Sequence, residues 1–296
     1  MLSRRTVLLS LLSQSERPMT TIRANLLLAL LSEGEEKPSF SFIPTESGPY
    51  SIDLLHDLRA FAKAGKVALE GEAITLQDDA LDPASYALGE IEQDLLLEGL
   101  ARYGSRSDDA LLAAILKRRP YYGIRTERSD RAIEEIREQI ESAERGLYTL
   151  GYEGLSIDQF INHLITANIK TVVDVREFAF SRRSEFVRST LEEALSRVQI
   201  TYIGMPEVGI PTKARKEILE HKSKEELLAY WEEEILPTTG PSATRLAALV
   251  REHNTALICH EEDPGQCHRS RFSAFALEHE PSIGAIYDIR TTREQS

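Results

Sequence analysis

The stretch LYTLGYEGLSIDQFINHLITANIKTVVDVR, residues 147–176, decides the fold of the C-terminal half of the chain. It opens with an apolar strand pattern and ends with TVVDVR, a run rich in β-branched residues that is typical of a buried strand. Between the two, the apolar residues of 157–167 recur at helical spacing. A strand, a helix and a second strand within about 30 residues are typical of a parallel βαβ unit.

Short apolar strands and helices continue to alternate towards the C-terminus. Further strands are predicted at ITYIGM (200–205), TALICH (255–260) and IGAIYDI (283–289), and helices at 187–198, at 266–279 and, as two or three segments, across 212–253. This alternation predicts an α/β domain over residues 147–296, with a mostly parallel sheet and flanking helices. In such sheets ligands bind outside the carboxyl ends of the strands.

The pattern of residues 1–128 differs and predicts a smaller α+β domain. Two helices, a strand, a third helix and a hairpin follow one another, with the hairpin at KVALEGEAITL (66–76) and two more helices between residues 86 and 119. This order resembles a winged-helix domain. More narrowly, FIPTESGPYSIDLLHDLRAFAKAGKV (42–67) resembles the signature of a group of winged-helix proteins from prokaryotic regulatory and defence contexts. A connecting helix is expected over residues 129–146.

The winged-helix resemblance implies a domain that contacts DNA or a partner protein. The charges favour the partner protein, because the candidate recognition helix begins with Asp53 and Asp57. The hairpin adds Glu70 and Glu72 against Lys66. An element that enters a DNA groove needs cations to neutralise phosphates. We therefore expect a protein-contact or packing role for this face, with DNA binding as the alternative.

Composition limits the partners and the cellular location to be expected of this protein. The 296 residues carry a formal net charge of −13, which disfavours indiscriminate binding to nucleic acids. One basic segment, KRRPYYGIRTERSDR (117–131), interleaves cations with two tyrosines as in single-strand binders, but we favour a helix end and linker whose arginines pair with carboxylates of this protein. Two cysteines cannot build a disulfide framework, and no apolar run approaches the roughly 20 residues of a membrane span. We expect a cytoplasmic protein without a membrane anchor.

Four polar loops follow the predicted strands of the α/β domain. They are GYEG (151–154), DVREFAFSRRSEF (174–186), GMPEVGIPTKAR (204–215) and ICHEEDPGQCHRSRF (258–272). Because the carboxyl ends of parallel strands meet at one edge, these loops together predict a ligand cleft. Their arginines point to an anionic ligand, since arginine binds phosphate-like groups through paired hydrogen bonds. The residues expected to bind it are Tyr152, Arg176, Arg182, Arg183 and Arg269.

The motifs of the C-terminal half resemble the family catalogued as domain of unknown function 488. Here they are LYTLGYEG, TVVDVRE, SRRSEF and LICHEEDPGQCHRSRF, where the family has T-x-G-Y, D-V-R, S-R-x-x-x-F and C-x-E-x-x-P-x-x-C-H-R. The resemblance covers residues 147–290 and implies an α/β fold, although the family has no settled reaction. In two departures, REFAFSRR lacks the proline usual between D-V-R and S-R, and Glu207-Val208-Gly209 replaces a leucine-glycine pair.

The stretch 258–272 holds both cysteines of the chain, and a zinc site is one hypothesis for it. Cys259, Cys267 and His268 could act as ligands. Their C-x7-C spacing matches no common structural zinc site, and the sequence has no second cysteine pair. The spacing therefore argues against zinc, and no metal-binding residue is assigned from it.

A thiol nucleophile is a second hypothesis. Neither cysteine is followed six residues later by the arginine of a phosphatase-type loop, since Gly265 and Ser273 stand at those positions. Cys267 nevertheless falls in the first predicted turn of a helix, beside His268 and Arg269, and such surroundings lower the pKa of a thiol. Catalysis or redox sensing by Cys267 therefore stays open.

The third hypothesis, which we favour, is a catalytic anion-binding cleft. The proline turn before the last helix leads into free N–H groups that attract an anion, and the helical face with His268 and His279 should pack on the sheet. His268 would then lie near Asp174 and Glu261 as an acid or base, with Arg269 as an electrostatic clamp. The two carboxylates could act as general base or as metal ligands. The cofactor stays open, since a divalent cation held by Glu261, Asp174 or the neighbouring Asp263 is allowed but not required.

The sequence thus predicts an enzyme of hydrolase or lyase type that acts on a nucleic acid or nucleotide. Its candidate catalytic residues are Glu261, His268, Asp174 and Cys267. The competing hypothesis is a non-enzymatic regulator whose α/β domain senses a ligand or redox state and whose winged helix contacts DNA or protein. An enzyme should direct Glu261, His268 and Arg269 into one open cleft, whereas a redox sensor needs an exposed Cys267.

Overall fold

The structure is a computed structural model, and it describes residues 4–15, 17–32, 38–77, 87–178, 183–221 and 223–289. The chain divides into two compact units, Met1–Glu138 and Gln139–Gln295. The domain boundaries at residues 128 and 147 stay predictions. Among the described residues, no helix combines the length and apolar character needed to cross a membrane.

The N-terminal unit combines helices with two small antiparallel sheets. Its elements are α1 (Arg4–Gln14), β1 (Met19–Thr20), α2 (Thr21–Leu31), β2 (Ile43–Thr45), β3 (Gly48–Tyr50), α3 (Ile52–Lys63), β4 (Val67–Glu70), β5 (Ala73–Leu76), α4 (Glu90–Tyr103) and α5 (Asp108–Leu116). Helix α6 (Arg131–Glu141) crosses the division between the units. Strands β1, β5 and β4 form one sheet in that order, and β2 pairs with β3 in the other.

Local sequence signals explain where the helices of this unit begin and how its hairpin turns. Thr20 accepts a hydrogen bond from the backbone N–H of Arg23 at 3.1 Å, and Ser51 accepts one from Leu54 at 3.4 Å. These side chains satisfy N–H groups that the first turn of α2 and α3 would leave unpaired. Gly71 adopts φ +61° in the turn of the hairpin, a conformation that glycine reaches without steric cost. The predicted hairpin is confirmed.

The acidic residues at the start of α3 are paired within the unit. Arg4 contacts Asp53 at 2.8 Å and Asp57 at 2.7 Å, and Arg5 contacts Asp57 at 2.7 Å. The side chain of Asp57 is 1% exposed. The negative charge counted on α3 from sequence is therefore neutralised by cations of α1.

The C-terminal unit is the predicted α/β domain. Its elements are β6 (Leu147–Gly151), α7 (Ile157–Thr166), β7 (Thr171–Asp174), α8 (Arg188–Ser196), β8 (Thr201–Gly204), α9 (Thr212–Leu219), α10 (Lys224–Glu234), α11 (Gly240–Glu252), β9 (Thr255–Cys259), α12 (His268–His279) and β10 (Ile286–Asp288). The strand order is β10-β6-β9-β7-β8, and every described pairing in this sheet is parallel. The predicted α/β class and mostly parallel sheet are confirmed.

The strand order creates a switch point between β9 and β7. From β7 the chain continues to β8 on one side, whereas from β9 it continues through α12 to β10 on the other side. Neighbouring strands whose connections leave in opposite directions open a crevice at their carboxyl ends. The switch point lies at Cys259 and Asp174, the last residues of the two strands.

Helix α12 packs on the sheet through part of the predicted face. His268, Phe272 and Ala276 are buried, with exposed fractions of 2%, 0% and 0%. The expectation for His279 is wrong, because this residue is exposed and its ring stacks on Phe275 with 5.8 Å between the centroids. His279 is the last residue of the helix.

One close backbone approach holds β6 against the loop that follows β9. A Cβ atom on Gly151 would lie 1.7 Å from the carbonyl oxygen of Glu261. Arg269 borders the same position, with its Nη1 3.0 Å from that Cβ. Position 151 therefore accepts no side chain unless the backbone moves.

We predict that Gly151→Ala lowers the free energy of unfolding of the C-terminal unit by about 3 kcal/mol, because overpacking here forces a backbone shift. Denaturant unfolding followed by circular dichroism measures the change. Gly204→Ala is the matched control, since its Cβ would meet nothing closer than Pro206 at 3.9 Å. Equal stability of the two variants would contradict the prediction.

Candidate functional site

A cavity of about 550 Å³ opens at the carboxyl ends of β7 and β8. Its wall combines acidic, basic and apolar side chains. They are Asp174, Arg176, Glu177, Phe178, Val187, Arg188, Ser189, Glu192, Tyr202, Gly204 and Pro206. Phe178 is 66% exposed, so an aromatic ring borders the opening. The predicted cleft edge thus contains a cavity of the size typical of small-molecule sites.

Asp174 anchors the wall of this cavity. Its carboxylate accepts hydrogen bonds from Nε of Arg176 at 2.8 Å and from Nη2 at 2.5 Å. The hydroxyl of Tyr202 donates to the same carboxylate at 2.8 Å. Burial, together with the charge of Asp174, raises the pKa of Tyr202. The tyrosine therefore stays a neutral donor that links β8 to β7.

Arg176 connects this carboxylate to β6. Its Nη1 donates to the hydroxyl of Tyr152 at 2.8 Å and to the carbonyl of Phe186 at 3.1 Å. Burial opposes its charge, but the hydrogen bonds and charge of Asp174 raise the pKa of the guanidinium. The ring of Tyr152 stacks on Phe186 with 4.2 Å between the centroids. Arg176 and Tyr152, both predicted to bind substrate, are thus hydrogen-bonded to each other, and both side chains are buried.

Glu177 is a wall residue that the sequence analysis did not single out. It is half-buried, and its Oε2 accepts hydrogen bonds from the backbone N–H of Thr212 at 2.6 Å and from the Thr212 hydroxyl at 2.7 Å. Its backbone lies against Gly209, where a Cβ would come within 2.1 Å of the Glu177 nitrogen. Its position three residues after the buried Asp174, at the carboxyl edge of the sheet, was the signal available in the sequence.

A second group of polar side chains lies at the end of β9, and we call it the thiol cluster: Cys259, Cys267, His268 and Glu261. Oε2 of Glu261 lies 3.3 Å from the sulfur of Cys259 and 3.2 Å from that of Cys267. Nδ1 of His268 lies 3.8 Å from the Cys259 sulfur. The two cysteines are free thiols and, like the histidine, they are no more than 2% exposed. The cluster is therefore a buried arrangement of sulfur, nitrogen and oxygen donors.

The backbone of Val175 lies between the cavity and the thiol cluster. Its carbonyl is 2.9 Å from Nε2 of His268, and its neighbours Asp174 and Arg176 line the cavity. Because a carbonyl can only accept, Nε2 carries a proton, and Nδ1 is the ring nitrogen on the side of the sulfurs. His268 therefore lies beside the end of β7 as predicted, with both ring nitrogens directed at protein atoms.

The expectation that Cys267 lies in the first helical turn with a lowered thiol pKa is wrong. Cys267 precedes the helix, with φ −133° and ψ 137°, and α12 begins at His268. Burial, followed by the neighbouring Cys259, raises the pKa of the Cys267 thiol well above its ordinary value. At 1% exposure Cys267 also lacks the accessibility that redox sensing requires.

The surroundings of Glu261 favour its ionised form. Burial opposes its charge, but its own backbone N–H, the two thiols and Lys224 together lower the pKa of the carboxyl to about 2. Nζ of Lys224 lies 3.7 Å from Oε1. The Glu261 side chain is 15% exposed, which makes it the most exposed member of the thiol cluster. A carboxylate of this pKa is a poor general base near neutral pH.

The remaining predicted arginines also make contacts within the protein. Arg269 is fully buried, and its guanidinium donates to the carbonyls of Glu261 and, at 3.0 Å, of Glu262. Arg183 contacts Glu185 at 2.7 Å. Arg182 lies outside the described residues. The structure therefore brings Glu261 and His268 together but buries Arg269 behind the loop, so the three do not converge on one open cleft.

Comparison with known proteins supports the resemblance in the C-terminal unit. Residues 156–276 match the model of a protein family described as Domain of unknown function DUF488. The match includes β7, β8, β9 and most of α12. No curated protein and no solved structure matches the chain.

We predict that Asp174→Asn lowers the free energy of unfolding by about 3–5 kcal/mol, because it leaves the buried guanidinium of Arg176 without its counter-charge. Denaturant unfolding of the purified full chain measures the effect. Glu192→Gln is the matched control, because this carboxylate is in the same cavity wall and its side chain is 54% exposed. We expect the control to stay within about 0.5 kcal/mol of the wild type. A similarly small effect of Asp174→Asn would contradict the anchoring role.

Proposed function

We propose that the C-terminal unit is an enzyme of hydrolase or lyase type that acts on a nucleotide or on a nucleotide unit of a nucleic acid. The observation that carries this proposal is the open cavity of about 550 Å³ at the carboxyl ends of β7 and β8. Its size is in the range of small-molecule sites, and it lies at the carboxyl edge of the parallel sheet, the edge at which such sheets bind their ligands.

The wall of the cavity supports a nucleotide as the ligand. Phe178 and Tyr202 offer aromatic surface on which a base can stack. Arg188 is exposed, lies over the Tyr202 ring at 5.7 Å and is 3.7 Å from Glu192, a weak surface pair. In this proposal Arg188, rather than the internally bonded Arg176, binds the phosphate.

Glu177 is the group that we assign to proton transfer. Hydrogen bonds from Thr212 hold one oxygen of its carboxylate, and the side chain reaches the cavity wall half-buried. A carboxylate held in place beside a bound substrate is suited to act as a general acid or base. Asp174 and Arg176 act as positioning residues. A catalytic role for Glu261, His268 or Cys267 stays a prediction.

We predict that the cavity binds single-stranded oligonucleotides through stacking and one phosphate contact. Phe178→Ala should weaken the binding of a fluorescent mixed-sequence single-stranded DNA about tenfold, because one stacked base contributes about 1–3 kcal/mol. Arg188→Gln should reduce the slope of log Kd against log salt by about 0.7, the value for one phosphate contact on a single strand. Arg245→Gln, on an exposed position of α11, is the control. The same losses in the control would place the binding outside the cavity.

We predict that Glu177→Gln lowers kcat by about 100-fold or more while KM stays within a few-fold, because it removes the proton-transferring group but not the binding contacts. The measurement is a panel of nuclease, glycosylase and phosphatase assays on the full chain, with and without divalent cations. Glu278→Gln, an exposed carboxylate on α12, is the control. Absence of turnover by the wild type in every assay would overturn the enzyme proposal.

For the N-terminal unit we propose a winged-helix domain that contacts a partner protein. The order α1, β1, α2, α3 and the β4–β5 hairpin, with β1 added to the hairpin, supports this proposal. The second candidate function is a non-enzymatic regulator, which the same order of helices and strands favours. Sequence-specific DNA binding by the full chain without turnover would favour it. We also propose a cytoplasmic location, consistent with the two free thiols.

A further inference from the structure

We propose that the thiol cluster is a zinc site, with Cys259, Cys267 and His268 as ligands and Glu261 in the fourth position. The site is separate from the residues that line the cavity, and the proposal does not depend on the enzymatic function. Zinc would connect the end of β9 to the start of α12.

Three of the donor atoms lie close enough to one another to share one metal ion. The sulfurs of Cys259 and Cys267 and a ring nitrogen of His268 all lie within 4.8 Å of one another. Oε2 of Glu261 is 3.3 Å and 3.2 Å from the two sulfurs, and Nδ1 of His268 is 3.8 Å from the Cys259 sulfur. Tetrahedral zinc with bonds of about 2.0–2.3 Å separates its ligand atoms by about 3.3–3.8 Å. The Glu261 carboxylate is outside this group of mutually close donor atoms, so its side chain has to move towards His268 to become the fourth ligand.

The orientation of His268 is that of a metal ligand. Its Nε2 donates to the carbonyl of Val175 at 2.9 Å, which leaves the lone pair of Nδ1 directed at the sulfurs. Histidines that bind metals commonly donate their other ring N–H to a backbone carbonyl or carboxylate. The ring of Trp231, 5.4 Å away between centroids, supports the imidazole on another side.

The charges of the cluster balance when zinc is bound. Two thiolates neutralise Zn²⁺, and the carboxylate of Glu261 is compensated by Lys224, with 3.7 Å between Nζ and Oε1. An electroneutral group avoids the cost of a buried net charge. The donor set of two sulfurs, one imidazole and one carboxylate favours zinc over calcium or magnesium, which prefer oxygen ligands.

The burial of the ligands indicates a structural rather than a catalytic ion. The three ligands Cys259, Cys267 and His268 are at most 2% exposed, and the Glu261 side chain is 15% exposed. Catalytic zinc keeps an open position for water or substrate, whereas structural zinc is enclosed by four protein ligands. The C-x7-C spacing did not indicate this site, because the two cysteines lie at the ends of different elements. Cys259 ends β9 and Cys267 precedes α12, and the fold brings the two sulfurs together.

Metal titration of the full chain tests the proposal. Protein purified in a metal-free reductant should bind one Zn²⁺ per chain, and one Co²⁺ should produce thiolate-to-cobalt charge-transfer absorption with the visible bands of tetrahedral cobalt. Chelator treatment should lower the melting temperature. Cys267→Ser and His268→Gln should weaken zinc binding by about 100-fold or more, and Glu261→Gln by about 10-fold. His260→Gln, next to Cys259 but exposed, is the control and should bind as the wild type does.

Three outcomes would overturn the proposal. The first is a wild-type chain that binds neither metal, for example because the two cysteines form a disulfide. The second is zinc binding that Cys267→Ser leaves unchanged. The third is bound cobalt without charge-transfer absorption, which would show that the thiols are not ligands. This last measurement uses the wild type, so it decides the matter even if the ligand variants fail to fold.

Discussion

The buried ion pair between Asp174 and Arg176 organises the carboxyl edge of the sheet. The carboxylate also receives the hydroxyl of Tyr202 from β8, and the guanidinium reaches Tyr152 beyond the end of β6. Residues of β7 and β8 and the residue that follows β6 are therefore joined through two charged side chains. Because both charges are buried, neither can turn to solvent without leaving the other uncompensated. The cavity wall is thus a fixed surface on which exposed side chains such as Phe178 and Arg188 are placed.

The α/β fold could be predicted because backbone requirements are expressed locally in this sequence. The β-branched run of TVVDVR fits a strand covered on both faces, and all four residues of β7 are buried. Serines stand where helices need an acceptor, as Ser156 and Ser223 do in their capping boxes. The convergence of polar loops at one edge followed from the parallel arrangement alone. Each of these features depends on residues that are near one another in the sequence, so a single sequence is enough to predict it.

The roles of the arginines could not be predicted in the same way. An arginine that follows a strand can bind a ligand or a neighbouring carboxylate of the protein. The sequence alone does not show which of these two partners it contacts. One signal was present: Asp174 and Arg176 are two residues apart, and in an extended chain such residues lie on the same side. The surroundings of Cys267 depended on where the helix began, which the sequence predicts at Gln266 and the structure has at His268. This difference of two positions placed the thiol before the helix, in a buried contact with Cys259.

Arg269 ties the loop after β9 to helix α12 at the carboxyl edge of the sheet. Its buried guanidinium donates to two successive carbonyls of the loop that carries Glu261, and its own backbone belongs to α12. A lysine could not reproduce this contact, because an ammonium lacks the planar pair of donors. The loop and the helix must therefore move together, because separating them would leave the buried guanidinium without its hydrogen-bond acceptors. Arg269 also lies 3.8 Å from Asp288 of β10, so one buried side chain joins the loop, α12 and the edge strand of the sheet.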